Sequence, residues 1–278
     1  MQSIIRLKDI KIPEKELYEL FKTATILDHL LSSHCGLPKG VNYMLIGDPV
    51  AGKTTVALDM VANIIRNHPR IKVLFISAEM NEIDLSIYLE RFSKFGNIPT
   101  LFVKSDITQN THYHKYIQSI LDEGWDIVLI DSFLELQGII KEEESITNKT
   151  AESWLLTLIK KHNIGKNKTE KNISFITIQQ VTKSGAFVGS NRLKHMITAM
   201  MELRLTNTKN PFSDRYIIFS KHRRGVVGQK LYYDLSCEEN IWYDEERYHK
   251  GIEINQMNKE AKKQNFEMFK NFSNLFKS

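Results

Sequence analysis

Between a short apolar run and a helical pattern the chain carries Gly47-Asp48-Pro49-Val50-Ala51-Gly52-Lys53-Thr54, the spacing of a phosphate-binding loop: glycine, four residues, then Gly-Lys-Thr. Few eight-residue stretches restrict a fold so tightly. Such a loop works when a strand delivers it and a helix leaves it, because the helix start offers unpaired N–H groups and a positive dipole end to phosphate oxygens. The apolar residues from Met44 read as that strand, and Thr55–Arg66 as that helix. Gly47 and Gly52 allow backbone conformations that a Cβ would obstruct, so loop amides can turn inward on an anion. Lys53 adds a cation, and the Thr54 hydroxyl is a ligand type suited to Mg2+.

A chain of 278 residues is long enough for one large α/β domain with a helical appendage. Its two cysteines, Cys35 and Cys237, are too few for a disulfide framework or a cysteine zinc site, so a reducing cytoplasmic setting is expected. Charges interrupt the first twenty residues before a signal-like apolar core can form, and no apolar run reaches the ~18 residues a membrane helix needs. A formal net charge of +5 is compatible with a polyanionic partner without requiring one.

Three more buried strands follow. Lys72–Ser77 ends at Ala78-Glu79-Met80. Ligands of open α/β sheets sit outside the carboxyl ends of strands, so Glu79 is placed to polarise an attacking water; the plainer alternative is a helix-capping acid. Trp125–Ser132 is an apolar strand running into Asp131, the arrangement that keeps an aspartate near a nucleotide-bound metal. Ile173–Ile178 ends in Gln179-Gln180, whose amides are suited to sensing a terminal phosphate. Helices are expected over Glu14–Ser33, with a break near Thr23, and over Glu82–Phe95, His112–Glu123, Ala151–Lys161 and Leu193–Met201. Glu142–Glu144 reads as a solvated acidic loop.

The segment Val181–Gly189 joins a core strand to a helix and contains Lys183, Ser184 and Gly185. It reads either as a flexible grip on a nucleic-acid backbone or as an ordinary surface loop. Met200–Thr206 and Asp214–Lys221 form a β-hairpin, and Lys221-His222-Arg223-Arg224-Gly225 at its end is a phosphate-directed cluster, a basic surface turn or a nucleic-acid contact.

On these residues the chain resembles the RecA-type ATPase core shared by RadA (Sms) recombination proteins and DnaB-type hexameric helicases. The resemblance runs over roughly residues 22–235 and is carried by ILDHLL, GLPKG, IGDPVAGKTT, SAEM, WDIVLIDS and above all QQVTKSGAFVGSNRLKHMITAMMELR, with KHRRG after it. It implies an α/β fold of the RecA-like P-loop NTPase type: a mostly parallel central sheet flanked by helices, a C-terminal β-hairpin and a helical tail. It also implies ATP and Mg2+ as cofactors, held by Gly47, Asp48, Pro49, Val50, Ala51, Gly52, Lys53, Thr54 and Thr55, with Asp131 supporting the metal. Glu79 would activate water and Gln180 would sense the γ-phosphate. Lys183, Ser184 and Gly185 would lie on single-stranded DNA, while Lys221 and Arg223 complete the site of a neighbouring subunit in a homo-oligomer, usually a hexameric ring. The four-cysteine zinc module of RadA has no counterpart in this sequence, which matches a minimal core of the kind carried by plasmids and phages.

The expected organisation is an N-terminal helical linker or docking segment over residues 1–35, a RecA-like domain over 36–250 and a helical tail over 251–278. The tail bears Phe266, Phe269, Phe272 and Phe276 on a basic background. It is suited to packing on its own ring or docking on a replication or single-strand-binding protein. The implied activity is that of an ATP-driven DNA motor, a helicase or translocase; the rival is a RecA-like ATPase switch that regulates or loads another protein.

Overall fold

Strands that are apolar at every position need cover on both faces, and the chain supplies it by alternating strand and helix. The computed structural model describes residues 6–9, 19–106, 112–181 and 190–275. In chain order the elements are β1 (Leu20–Phe21), α1 (Asp28–Leu31), β2 (Leu37–Pro38), β3 (Asn42–Gly47), α2 (Lys53–Asn67), β4 (Val73–Ser77), α3 (Glu82–Arg91), β5 (Thr100–Phe102), α4 (Val103–Asp106) and α5 (Tyr113–Leu121). There follow β6 (Ile127–Asp131), α6 (Phe133–Glu143), α7 (Asn148–Asn163), β7 (Ser174–Ile178), α8 (Asn191–Met196), β8 (Ala199–Leu205), β9 (Arg215–His222), β10 (Lys230–Asp234), β11 (Trp242–Tyr243) and α9 (Glu245–Leu275).

The main sheet has nine strands in the order β11-β10-β9-β8-β3-β7-β6-β4-β5. From β8 to β5 neighbouring strands are parallel, and β9, β10 and β11 extend one edge in antiparallel fashion. Side chains alternate between two cores. Tyr43, Leu45, Val73, Phe75, Ile127 and Leu129 face α2 and the N-terminal segment, while Met44, Ile46, Leu74, Ile76, Val128 and Ile130 face α5, α6 and α7. Burial of each such side chain contributes about 1.5–3 kcal/mol. The parallel register brings the carboxyl ends of β3, β4, β6 and β7 level, with Ser77 opposite Asp131 and Leu45 opposite Ile178.

The N-terminal segment differs from the helix expected over Glu14–Ser33. Its described part is β1 paired with β2, a turn, and the four-residue α1. Asp28 explains the turn. Its carboxylate accepts from the Thr23 amide at 2.9 Å, the Thr23 hydroxyl at 2.8 Å and the Ala24 amide at 3.0 Å, and Ala24 adopts φ 57°. Leu27, Leu30 and Leu31 are buried in the same core as β3 and β4, so residues 19–35 pack into the same unit as the central sheet rather than forming a separate helical linker.

Phe133–Glu143 is a helix, so Glu142 and Glu143 lie in its last turn and only Glu144 follows it, where a loop was expected over Glu142–Glu144. Ser132 caps it by accepting from the Glu135 amide, and Phe133, Leu136 and Ile140 form its buried stripe. The helix expected to reach Met201 stops at Met196, because Met200 and Met201 are taken up by β8. The C-terminal helix begins at Glu245, ahead of the boundary at 251, and docks through Tyr248. Beyond Ile252 its described side chains are exposed, and Phe276 and the side chains of Phe266, Phe269 and Phe272 lie outside the described set. No described helix is long and apolar enough to cross a membrane.

Candidate functional site

The glycines of the phosphate loop are required by their surroundings. A Cβ on Gly47 would lie 2.2 Å from the Leu203 carbonyl oxygen, since β3 and β8 are paired at that point. Gly52 stands at φ +82°, and a Cβ there would meet Leu235 Cδ1 at 2.4 Å. The loop is also tied down from outside. The Tyr233 hydroxyl donates to the Ala51 carbonyl at 2.5 Å. Asp48 turns its carboxylate away from the cleft, accepting from the Leu205 amide and from Arg204 Nη1, both at 2.9 Å. Its side chain is therefore a strut, and only its backbone faces the loop.

Lys53 opens α2 and curls back over the loop, donating to the Gly47 and Asp48 carbonyls at 3.3 Å each. Burial lowers the pKa of its ammonium, opposed by the nearby charges of Asp131, Glu79 and Asp48. One turn of chemistry further on, Thr54 Oγ1 donates to Asp131 Oδ2 at 2.6 Å. Asp131 is almost fully buried at the end of β6, and that burial pushes its pKa up to about 6; Thr54 and Lys53 counteract the rise, and the Glu79 charge adds to it. The Asp131 carbonyl accepts from the amides of Ala78 at 2.7 Å and Glu79 at 3.1 Å, which fixes the end of β4 beside it. Gln179 is anchored through its amide to the Leu45 carbonyl at 2.8 Å, and Gln180 emerges next to it.

These elements enclose a cleft of about 400 Å3 lined by Gly47, Pro49, Val50, Gly52, Lys53, Thr54, Glu79, Asp131 and Gln180, together with Tyr88, Ile178 and Val181. A cation and the N-terminal end of α2 on one side, and a hydroxyl with two carboxylates on the other, form a donor set that suits a polyphosphate and a hard divalent cation. The residues present therefore fit Mg2+, with Thr54 and Asp131 as the groups that would hold it or its waters. Asp48, Ala51 and Thr55 belong to the loop without lining the cleft. Tyr233, Leu235, Arg204 and Tyr88 were not anticipated as neighbours of the loop; for Tyr233 the available signal is the alternation in Lys230–Asp234, where Leu231 and Tyr233 point inward.

Lys221 and Arg223 lie elsewhere. Along the sheet Gly47 is opposite Leu203, whereas Tyr43 is opposite Ala199, which pairs with His222. Four residues of strand separate the two ends, about 13 Å, so the basic cluster sits at the opposite end of the sheet from the loop of its own chain. Its side chains alternate. Lys221 Nζ donates to the Lys194 carbonyl at 2.5 Å and Arg223 Nη2 to the His195 carbonyl at 2.9 Å, covering the end of α8. His222 Nε2 meets the Leu30 and Leu31 carbonyls at 3.1 and 3.2 Å, and Arg224 donates to the Lys39 carbonyl at 3.2 Å. Lys183, Ser184 and Gly185 lie outside the described residues. Ser190, just after them, caps α8 by accepting from the Leu193 amide.

Similar proteins agree with the fold. The chain is 26% identical over 212 residues to the DNA repair protein RadA of Campylobacter jejuni, covering 70% of this chain and 43% of the relative. It is 27% identical over 194 residues to the DNA repair protein RadA of Aquifex aeolicus, covering 68% and 39%. The chain thus spans less than half the length of the relatives it matches. No protein-family model matches it. Among solved structures, a KaiC-like protein of Pyrococcus horikoshii superposes with a TM-score of 0.63 at 17% identity over 82% of this chain and 99% of that one. The flagellar accessory protein FlaH of Methanocaldococcus jannaschii gives 0.60 at 13% over 81% and 99%. The RadB recombinase gives 0.55 at 21% over 80% and 98%. The fold is the RecA-like P-loop arrangement, with a core resembling that of RadA.

Proposed function

We propose that the chain is an ATPase that works on DNA in recombination or repair, with its active sites at the interfaces of a homo-oligomer. The observation that carries this reading is the Thr54–Asp131 hydrogen bond at 2.6 Å beside Lys53 and Glu79, a phosphoryl-transfer constellation with a hydroxyl, a carboxylate, a cation and a base in one cleft. The substrate's β- and γ-phosphates lie on the loop amides and on Lys53, which must leave the Gly47 and Asp48 carbonyls to reach them. Thr54 and Asp131 would hold Mg2+, which would supply neutralisation of charge on the phosphate oxygens. Glu79, exposed at the end of β4, accepts hydrogen bonds from the attacking water and orients it in line with the bond that breaks. Gln180 meets the γ-phosphate, and its loss after hydrolysis frees the segment toward Lys183, Ser184 and Gly185, the proposed contact with single-stranded DNA.

Lys221 and Arg223 are too far along the sheet to serve their own loop, which favours a role on the nucleotide of an adjacent subunit in a ring, most simply a hexamer. The names of the RadA relatives supply the DNA-repair context. A motor that translocates along a strand is the fuller form of the proposal; a switch that loads or regulates another protein is the second reading. ATP turnover by the full chain with and without single-stranded DNA tests it. Turnover that Lys53→Ala abolishes and single strands accelerate supports the DNA ATPase, and strand displacement on forked substrates supports the motor. Turnover indifferent to DNA favours the switch, and wild-type turnover in Lys53→Ala contradicts the site.

A further inference from the structure

Far from the cleft, a second group of chemically matched side chains converges. Glu144 follows the last residue of α6 and receives both imidazoles of a His-x-His pair at the start of α5, some thirty residues earlier in the chain. His112 Nδ1 lies 3.2 Å from Glu144 Oε2, and His114 Nδ1 lies 2.8 Å from Glu144 Oε1. One ligand atom from each of the three residues falls within 4.8 Å of the others. The Glu144 side chain is only 13% exposed, whereas His112 is 62% exposed, so the cluster opens to solvent on the His112 side. His114 is held by the Trp154 ring, edge to face at 6.0 Å and 81°.

We propose that His112, His114 and Glu144 form a divalent transition-metal site, with Zn2+ as the fitting ion. Tetrahedral zinc with bonds of about 2.0–2.2 Å sets its ligand atoms about 3.4 Å apart. His112 and His114 contact different oxygens of Glu144, so seating the ion on one of them needs side-chain shifts that draw ligand atoms now within 4.8 Å of one another to that separation. Two imidazoles and one carboxylate make a borderline donor set that prefers zinc to Mg2+ or Ca2+, which separates this site from the cleft at Thr54 and Asp131. With three protein ligands, the remaining position goes to water. The ion would clamp the beginning of α5 to the end of α6. The other end of α6 is Ser132, next to Asp131, a helix length of about 16 Å away, so the clamp supports the wall of the nucleotide site without entering it.

The test uses the full chain stripped with chelator and free of nucleotide, titrated with Zn2+ alone by calorimetry, with melting temperature as a second readout. The expected result is one zinc per chain with a dissociation constant of about 10 μM or tighter, a raised melting temperature, and at least a tenfold loss of affinity in His114→Ala and in the nearly isosteric Glu144→Gln. Cys35→Ser and Cys237→Ser should bind as the wild type does. X-ray absorption of the zinc complex should show nitrogen and oxygen neighbours with an imidazole signature. Absence of binding at about 100 μM zinc, or unchanged affinity in Glu144→Gln and His114→Ala, overturns the proposal.

Discussion

Thr54 Oγ1 donates a hydrogen bond to Asp131 Oδ2 at 2.6 Å, joining the first turn of α2 to the end of β6 across seventy-seven residues of sequence. The contact is possible because β6, β7 and β3 are consecutive parallel neighbours whose carboxyl ends stay level. It gathers the groups of the proposed phosphoryl-transfer site in one cleft.

That preorganisation has a cost in stability. Asp131 is buried and its pKa is raised to about 6, so the folded, metal-free protein binds a proton that the unfolded chain releases at a lower pH. Stability from this group is full below the unfolded value of 3.8 and is lost as pH rises through about 6. Asp131→Asn keeps the acceptor for Thr54 and removes the charge. In chelator-containing buffer at pH 7 it is expected to stabilise the protein by about 1–3 kcal/mol in denaturant unfolding while suppressing ATP turnover. Equal or lower stability would show that the buried charge is already compensated.

Gly47→Ala tests the close approach of β3 and β8. The new Cβ would meet the Leu203 carbonyl at 2.2 Å, a backbone atom that cannot rotate away. Destabilisation of about 1–3 kcal/mol and loss of nucleotide binding are expected, measured by denaturant unfolding and by fluorescent-nucleotide titration.

His162 contributes with the opposite sign. Its ring is fully buried, neither nitrogen has a hydrogen-bond partner among the described residues, and burial lowers its pKa despite Asp122 at 3.7 Å. The unfolded chain takes up a proton near 6.5 that the native state resists, so stability is present above that pH and falls as pH drops below it. Asp131 acts in the opposite direction over the same range, so the His162 contribution is read as a difference: between pH 7.5 and 5.5 the melting temperature of the wild type should fall relative to that of His162→Gln, in which this site no longer titrates.

The sequence made the central strands legible because they are continuous apolar runs bounded by turn residues, and the loop spacing pointed to the cleft at the carboxyl end of the sheet. The N-terminal segment misled because Leu17 to Leu31 recur at helical intervals, while Asp28, by capturing the Thr23 and Ala24 amides, breaks the helix. α6 was hidden by its acidic end, although Ser132 followed by Phe133, Leu136 and Ile140 was the available signal. Glu144 read as a solvated acid because its partners are two histidines thirty residues away. Edge strands β10 and β11 are short and half polar, so Tyr233 and Leu235, which hold the loop from outside, left little trace. The alternation of Lys221 and Arg223 toward α8, and of His222 and Arg224 toward the N-terminal segment, depends on the pairing of β9 with β8, which composition does not encode.

The central claim, an active site completed by a second copy of the chain, is tested most directly by mixing. Lys53→Ala removes the phosphate contact of a subunit's own loop, and Arg223→Ala removes the guanidinium at the far end of the sheet while leaving that loop intact. Each variant alone should bind single-stranded DNA normally and hydrolyse ATP at a small fraction of the wild-type rate. Mixed in equal amounts with single-stranded DNA present, the two should recover turnover well above either alone, because some interfaces then pair an intact loop with an intact Arg223. Full activity of Arg223→Ala by itself, or no recovery on mixing, would contradict the account.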